Sequence, residues 1–247
     1  MNIMISNDDG ILAPGIQALI RAFAKTGHDI YVCAPDGQRS AASHSLTLGK
    51  ALAVKEMHFE GVKRAWAIGG TPVDCVKLGA KKLCPQADFV VSGVNHGYNA
   101  GSDILYSGTV GAAMEGVFNG LPAMAVSLAY SREDTYDKAA ALAVQVFEKL
   151  QDHPLAPGTI MNLNYPAVDE AKGIVATGMT HIIYNEEYRE SRNEDGTLCY
   201  SLHGEVDEMQ EIADDDFSWL RRGYATATVL TFNMTDRTAT ESIKNWL

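Results

Sequence analysis

Apolar residues fill positions 3–5, 30–34 and 89–91 as short unbroken runs, each bounded by polar or turn-forming residues. Runs of that length without polar alternation fit strands buried on both faces of a parallel sheet. Helical spacing fills the gaps between them. Ile16, Leu19, Ile20 and Phe23 share one helix face, and Thr26-Gly27 supplies a stop. Thr71 before Pro72, with Asp74 in the first turn, marks a helix start running to about Lys82. The same pattern predicts strands at 2–6, 29–34, 88–92, 123–129 and 159–163, with two or three weaker strands in 45–67 around a turn near Gly61. Helices are predicted at 110–118, closed by Asn119-Gly120, and from Asp134 to Leu150. Strands alternating with helices predict an α/β fold built on parallel strands joined by crossover helices.

After His153-Pro154 the pattern loosens. Residues 185–216 are acidic and poor in aliphatic side chains, and a last strand pattern spans Tyr224 to Phe232. We therefore divide the chain into a core over 1–180 and, over 181–247, an extended C-terminal hairpin arm that packs on a partner subunit and returns to the core. Composition supports a chain that buries its own core: 46% of the 247 residues are hydrophobic and 21% charged. The formal net charge of -11, from 31 acidic and 20 basic residues, argues against nucleic-acid polymers and anionic membranes as partners. The four cysteines, at 33, 75, 84 and 199, form no Cys-x-x-Cys pair and read as reduced thiols. The N-terminus lacks the pattern of a signal peptide, and no apolar run nears the roughly 20 residues that span a bilayer. The expectation is a cytoplasmic protein.

Three polar loops each follow a predicted buried strand: Asn7-Asp8-Asp9-Gly10, Pro35 to Ser43, and Ser92 to Gly101. In an open parallel sheet such loops converge at the carboxyl ends of the strands. Asp8 and Asp9 are adjacent carboxylates with no cation nearby in sequence, and their repulsion is relieved when both face a metal. Ser40 and Asn95 offer neutral oxygens from neighbouring loops. An all-oxygen set suits Mg²⁺ or Mn²⁺ rather than zinc or copper. Ser107-Gly108-Thr109 opens a helix with small residues and free amides, a ready anion site. A metal beside an anion site is the pairing that phosphoryl transfer uses.

Each element also has a plainer reading. Asn, Asp and Gly together make ordinary turns, loop Ser and Asn are usually just solvated, and Thr109 fits a plain N-cap. His44 and His96 sit in these loops as proton shuttles or as solvated histidines. There is no Gly-x-Gly-x-x-Gly, no P-loop and no Gly-x-Ser-x-Gly, and the seven histidines lack the spacing of a helical zinc site. The residues alone indicate phosphate esters in general. A non-catalytic nucleotide-binding protein is disfavoured, because without a metal the carboxylates would repel the ligand.

Five segments in one order carry a family resemblance: Asn7 to Gly10; Ala34-Pro35-Asp36 through Arg39-Ser40 and Ser43; Gly70 to Val76; Ser92 to Asn99; and Tyr106 to Gly116. With them the chain resembles the SurE family, stationary-phase survival proteins acting as 5'/3'-nucleotidases. The match is strongest over 1–130; beyond it remain Asn162 to Pro166 and Gly223-Tyr224. The resemblance implies a Rossmann-like three-layer αβα core with a mostly parallel sheet. It also implies metal-dependent hydrolysis of nucleoside 5'-monophosphates, with 3'-nucleotides and short polyphosphate cleaved by some relatives; an exopolyphosphatase or broad phosphomonoesterase is the alternative. Asp8, Asp9, Ser40 and Asn95 would hold one divalent cation per subunit. Asn99 and Ser107, Gly108 and Thr109 would lie beside the phosphate, and Asp8 or Asp9 would act as base or only as ligand. A homodimer or tetramer with exchanged C-terminal segments is implied too. Two departures stand out: Ala41 replaces a common Gly, and Thr226 to Leu230 replaces a usual Ser-Val-Thr-Pro-Leu, which bears on the arm.

Overall fold

A computed structural model describes residues 1–132, 135–182, 184–206, 214–244 and 246. Among them nine strands form one sheet, in the order β3-β4-β2-β1-β5-β6-β7-β11-β8. In chain order these are β1 (Asn2–Ser6), β2 (Asp29–Pro35), β3 (Val54–Met57), β4 (Arg64–Ile68), β5 (Phe89–His96), β6 (Ala123–Leu128), β7 (Thr159–Tyr165), β8 (Ile174–Ala176) and, after the arm, β11 (Ala225–Thr231). Pairing is parallel from β4 through β2, β1, β5 and β6 to β7, and antiparallel only at β3–β4 and β7–β11. The remaining strands, β9 (Tyr184–Arg192) and β10 (Leu198–Val206), pair only with each other.

Alternate side chains of the buried strands serve two helical layers, as the period of two requires. Ile3, Ile5, Val32, Val91 and Val126 pack with helices α1 (Pro14–Phe23) and α4 (Tyr136–Asp152), where Phe23, Phe89 and Phe147 meet edge to face. Met4, Cys33, Val90 and Ala125 pack on the other face under α2 (Pro72–Leu78) and α3 (Gly108–Phe118). This is the expected three-layer αβα core. Two short helices follow, α5 (Asp216–Arg221) and α6 (Arg237–Ile243). No helix among the described residues is long and apolar enough to cross a membrane.

Several boundaries differ from the sequence expectation for local reasons. Within 45–67 the expected strands form as two, β3 and β4, on either side of the turn at Gly61, while residues 45–53 stay irregular and Thr47 gives its N–H to the Asp74 carboxylate. The helix expected to reach Lys82 stops at Leu78 and continues as one wider π turn over Gly79–Leu83, closed by Cys84 N–H to Gly79 O. Strand β5 runs on to His96 through a register shift between Ser92 and Asn95. Such irregularities re-aim side chains beside active sites. The start of the helix expected from Asp134 lies outside the described residues. Thr226 to Leu230 lies inside β11, paired to Asn164 through Ile160 of β7. The departure from the family pattern there thus bears on the core sheet and not on the arm.

Helix α1 enters under the β5 irregularity at Gly15, where an added Cβ would sit 1.9 Å from Val94 O and 3.0 Å from the Tyr136 ring. Neither neighbour has room to yield, since one is backbone and the other is buried. Gly15→Ala is expected to lower stability by about 2 kcal/mol or more, a fall of roughly 5 °C in Tm. Thermal unfolding checks this, and an unchanged Tm would contradict the seating of α1.

Candidate metal and phosphate site

Strand β1 sits between β2, which follows it across α1, and β5, which the chain reaches later from β4, so the strand order reverses beside β1 and a crevice opens at its carboxyl end. The Asn7-Asp8-Asp9-Gly10 turn fills its floor. Asn7 Nδ2 donates to Gly10 O at 2.8 Å and closes the turn. Asp8 then points beneath the start of α3, where the Thr109 hydroxyl donates to its Oδ1. Asp9 turns the other way, and its Oδ2 accepts the His96 N–H at 3.2 Å. Arg39 N–H donates to Asp8 O at 2.7 Å, and Ile11 N–H to Pro35 O at 2.8 Å, hanging the loop after β2 on the loop after β1. The convergence expected from strand order is present.

Neither carboxylate is ion-paired to a lysine or arginine among the described residues. Asp8 is 5% exposed. Burial, reinforced by the neighbouring Asp9 charge and opposed by the Thr109 hydrogen bond, lifts its pKa from 3.8 to about 6. Asp9 is raised as well, by burial, against the His96 N–H. The His96 charge also acts to lower it, yet two desolvated acids with no lysine or arginine partner among the described residues form a cation-seeking pair. Among the described residues no three His, Cys, Asp or Glu side chains gather as a metal cluster. A cation here would complete its shell with neutral oxygens, the choice of a hard ion such as Mg²⁺ or Mn²⁺. The residues fit that group.

Ser40 follows Arg39, whose amide holds Asp8; Asn95 precedes His96, whose amide holds Asp9. Each of the two thus lies one position along the chain from a backbone amide that holds the Asp8-Asp9 turn. Ser40 is exposed, its Oγ taking a hydrogen bond from Gln38 at 2.9 Å. Asn95 Nδ2 donates to Gly97 O at 2.9 Å, which leaves Oδ1 as its outward acceptor. At the start of α3 the N-cap is Ser107 rather than Thr109: Ser107 Oγ accepts Val110 N–H at 3.0 Å. Thr109 is spent on Asp8, so the anion-binding capacity rests on the backbone at Gly108. A Cβ at Gly108 would sit 2.9 Å from Asp8 Cβ, so only glycine lets α3 start this close to the acids. Asn99 is buried. Its Nδ2 donates to Ser127 Oγ at 2.8 Å, while its backbone is gripped by Asn162 and Asn164 of β7.

Other residues hold the site together without a signal in sequence spacing. Glu115, buried on α3, takes His44 at 3.0 Å, Lys77 at 2.7 Å and Asn119 at 2.8 Å. Burial alone would raise its pKa, but these hydrogen bonds outweigh it and hold the carboxyl below the usual range. Asp74 is held low in the same way by Thr47 and Thr71. Ser43 N–H bonds to Tyr106 O at 3.0 Å and Ser43 Oγ to Leu105 O at 2.8 Å. The loop carrying Ser40 is therefore pinned at Ser43, His44 and Thr47. His44 is an anchor on Glu115, and His96 Nε2 lies 2.8 Å from Tyr130 O, so both rings have structural partners.

The model of the family described as "Survival protein SurE" matches residues 3–186. A 5'-nucleotidase SurE of Synechococcus sp. (strain JA-3-3Ab) is 41% identical over 252 residues, covering 100% of this chain and 97% of the relative. The chain belongs to the SurE family. A Petrotoga mobilis 5'-nucleotidase SurE is 36% identical over 100% of this chain and 99% of its own length. Among solved structures, the SurE protein from Aquifex aeolicus superposes with a TM-score of 0.85 at 31% identity, covering 99% of each chain. The similarity to SurE relatives thus extends well past residue 130, through the arm and β11.

The family departure at Ala41 has a structural cost. Ala41 has φ +54° and Ser43 φ +50°, both in the left-handed region. The pins at Ser43, His44 and Thr47 hold the loop there, next to Ser40. Ala41→Gly, the residue common in SurE relatives, is expected to stabilise the chain by about 1 kcal/mol, a rise of roughly 2–4 °C in Tm. Thermal unfolding decides it; a lowered Tm would mean the loop takes another conformation in solution.

Proposed function

We propose that this chain is a divalent-metal-dependent 5'-nucleotidase, releasing phosphate from nucleoside monophosphates in the crevice beside β1. The observation that carries the reading is the Asp8–Asp9 pair: two adjacent, desolvated acids without a lysine or arginine partner among the described residues, beneath a helix start that presents amides. The relatives named above are called 5'-nucleotidases, which supports the nucleotide as substrate. Asp8, Asp9, Ser40 and Asn95 would hold one Mg²⁺ or Mn²⁺ per subunit. When bound, such an ion supplies Lewis acidity toward the phosphoryl oxygens. The chain's own groups do the rest. Gly108 N–H and the dipole of α3 orient the phosphate, and Ser107 and Thr109 fix that helix start in place. Asp9 Oδ2 is held by His96, so Oδ1 is the oxygen open to a water's proton.

The same proposal includes self-association. An isolated two-stranded ribbon is marginal in water, and β9–β10 exposes Tyr188, Tyr200 and Leu202. A second copy that covers this arm is the occupant implied by the family resemblance, giving a dimer or tetramer, and a cytoplasmic location accords with the acidic chain.

Phosphate release from AMP and from a chromogenic phosphate ester, measured with EDTA and then with added Mn²⁺, tests the activity; no release with any metal would defeat it. Asp9→Asn is expected to keep the fold and lose more than about 100-fold in turnover, since even outer partners of metal ligands are worth 10–100-fold. Near-normal turnover with metal still bound would remove Asp9 from the site.

A pH dependence follows from Asp8. Its folded pKa of about 6 exceeds the ordinary 3.8, so the folded chain keeps a proton that the unfolded chain loses. Without metal, this group's contribution to stability is complete below about 4 and declines by about 3 kcal/mol as pH rises to 6. A cation must displace that proton, so the rise in Tm on adding Mn²⁺ should grow between pH 5 and 7, with its midpoint near 6. A rise independent of pH would contradict metal binding at Asp8.

A further inference from the structure

On the proposed nucleotidase reading, the phosphate end of the substrate is accounted for but nothing yet meets the base. A chain with net charge -11 and two acids in the crevice has no electrostatic attraction for a neutral base. It needs a flat surface. One lies a single residue beyond Asn95. His96 gives its backbone N–H to Asp9 and lays its ring on Tyr130, with centroids 4.2 Å apart and planes 14° from parallel. His96 Nε2 lies 2.8 Å from Tyr130 O, so ring and turn are bound to each other as well as stacked. Tyr130 sits in a turn closed by Arg132 N–H to Ala129 O at 3.0 Å, directly after β6. One face of its ring covers His96, yet the residue is 74% exposed, so the other face is open.

We infer that the outer face of Tyr130, backed by His96, is the stacking platform for the nucleobase of the substrate. Three features favour it over an ordinary exposed tyrosine. The ring is already restrained by its stack, so a base settling on it costs little side-chain entropy. The ring is linked through His96 to Asp9, so its distance from the acid pair is fixed. Its π-face accepts any base, which suits a site that recognises phosphate by charge and leaves the base to stacking. Tyr106, 67% exposed just before Ser107, is the competing ring, but no ring is stacked behind it among the described residues.

The platform is tested by the selectivity ratio, kcat/KM for AMP over kcat/KM for ribose 5-phosphate, which keeps the sugar and phosphoester and lacks the base. Base–aromatic stacking of ordinary strength predicts that Tyr130→Ala lowers this ratio about 5- to 150-fold, mainly through KM for AMP. Tyr130→Phe should preserve the ratio and Tyr130→Leu should lose it, since a flat ring is required rather than apolar bulk. Competitive inhibition by adenosine should weaken in parallel. An unchanged ratio in Tyr130→Ala, or its collapse in Tyr106→Ala instead, overturns the platform while leaving the nucleotidase reading intact. A parent protein that hydrolyses ribose 5-phosphate as well as AMP overturns it too. Failure of the parent on both substrates removes the underlying reading and the platform with it.

Discussion

The structure depends on keeping two adjacent carboxylates at the end of β1 without giving either a lysine or arginine partner among the described residues. Proteins usually answer a buried acid with arginine or lysine, or with several hydrogen-bond donors. Here Asp8 takes the Thr109 hydroxyl together with backbone N–H groups, and Asp9 takes the His96 backbone N–H. Arg39 lies alongside, yet its guanidinium goes to Asp36 at 2.7 Å and only its backbone N–H reaches the turn. The field is therefore left uncompensated within the fold. Burial raises both pKa values, and at Asp8 the neighbouring Asp9 charge adds to it.

Such a pair is tolerable only if the surrounding loops cannot relax around it. Each is gripped from behind by a polar side chain set deeper in the fold. Asp74 holds Thr47, Glu115 holds His44, and Asn162 with Asn164 holds the backbone of Asn99. All four supporting residues are buried. Removing one would orphan the backbone or side-chain groups it serves, so the loops gain rigidity from interactions that break together. Close packing adds a steric limit. A Cβ at Gly111 would fall 2.5 Å from Ser43 O, so the loop carrying Ser40 lies directly on α3 and has little room to shift.

What could be read from sequence follows from these scales of interaction. Strands β1, β2 and the first half of β5 are buried on both faces, so their apolar runs are continuous and local. The Thr71 cap is local too and forms as expected, and Asp74, read only as favouring the helix dipole, also closes a capping box with it. The far end of β5 was not legible, because Asn95 and His96 are strand residues only by way of an irregularity set by its neighbours. Ser107 and Thr109 are both good caps by type; which one caps depends on Asp8 capturing the other. Glu115 meeting His44 across 71 positions leaves no periodic trace, and neither does the open face of Tyr130. Ala41 was visible as a departure from a family pattern, but its positive φ was not.

The arm, which the sequence marks only by its acidity and lack of aliphatic residues, is joined to the site by its root. Asp216 accepts Gly101 N–H at 2.7 Å and Thr180 N–H at 3.1 Å, tying both ends of the arm to the chain just before α3. Ser102 Oγ accepts Ile182 N–H at 3.2 Å, and the Tyr184 hydroxyl donates to Asp103. Residues Gly101–Tyr106 form the 3₁₀ turn that delivers Ser107 to its cap position. The start of α3 is thus held on one side by Asp8 and on the other by the root of the arm. The loops of the crevice and the root of the arm are thus bound to each other, although a division at residue 180 would part them.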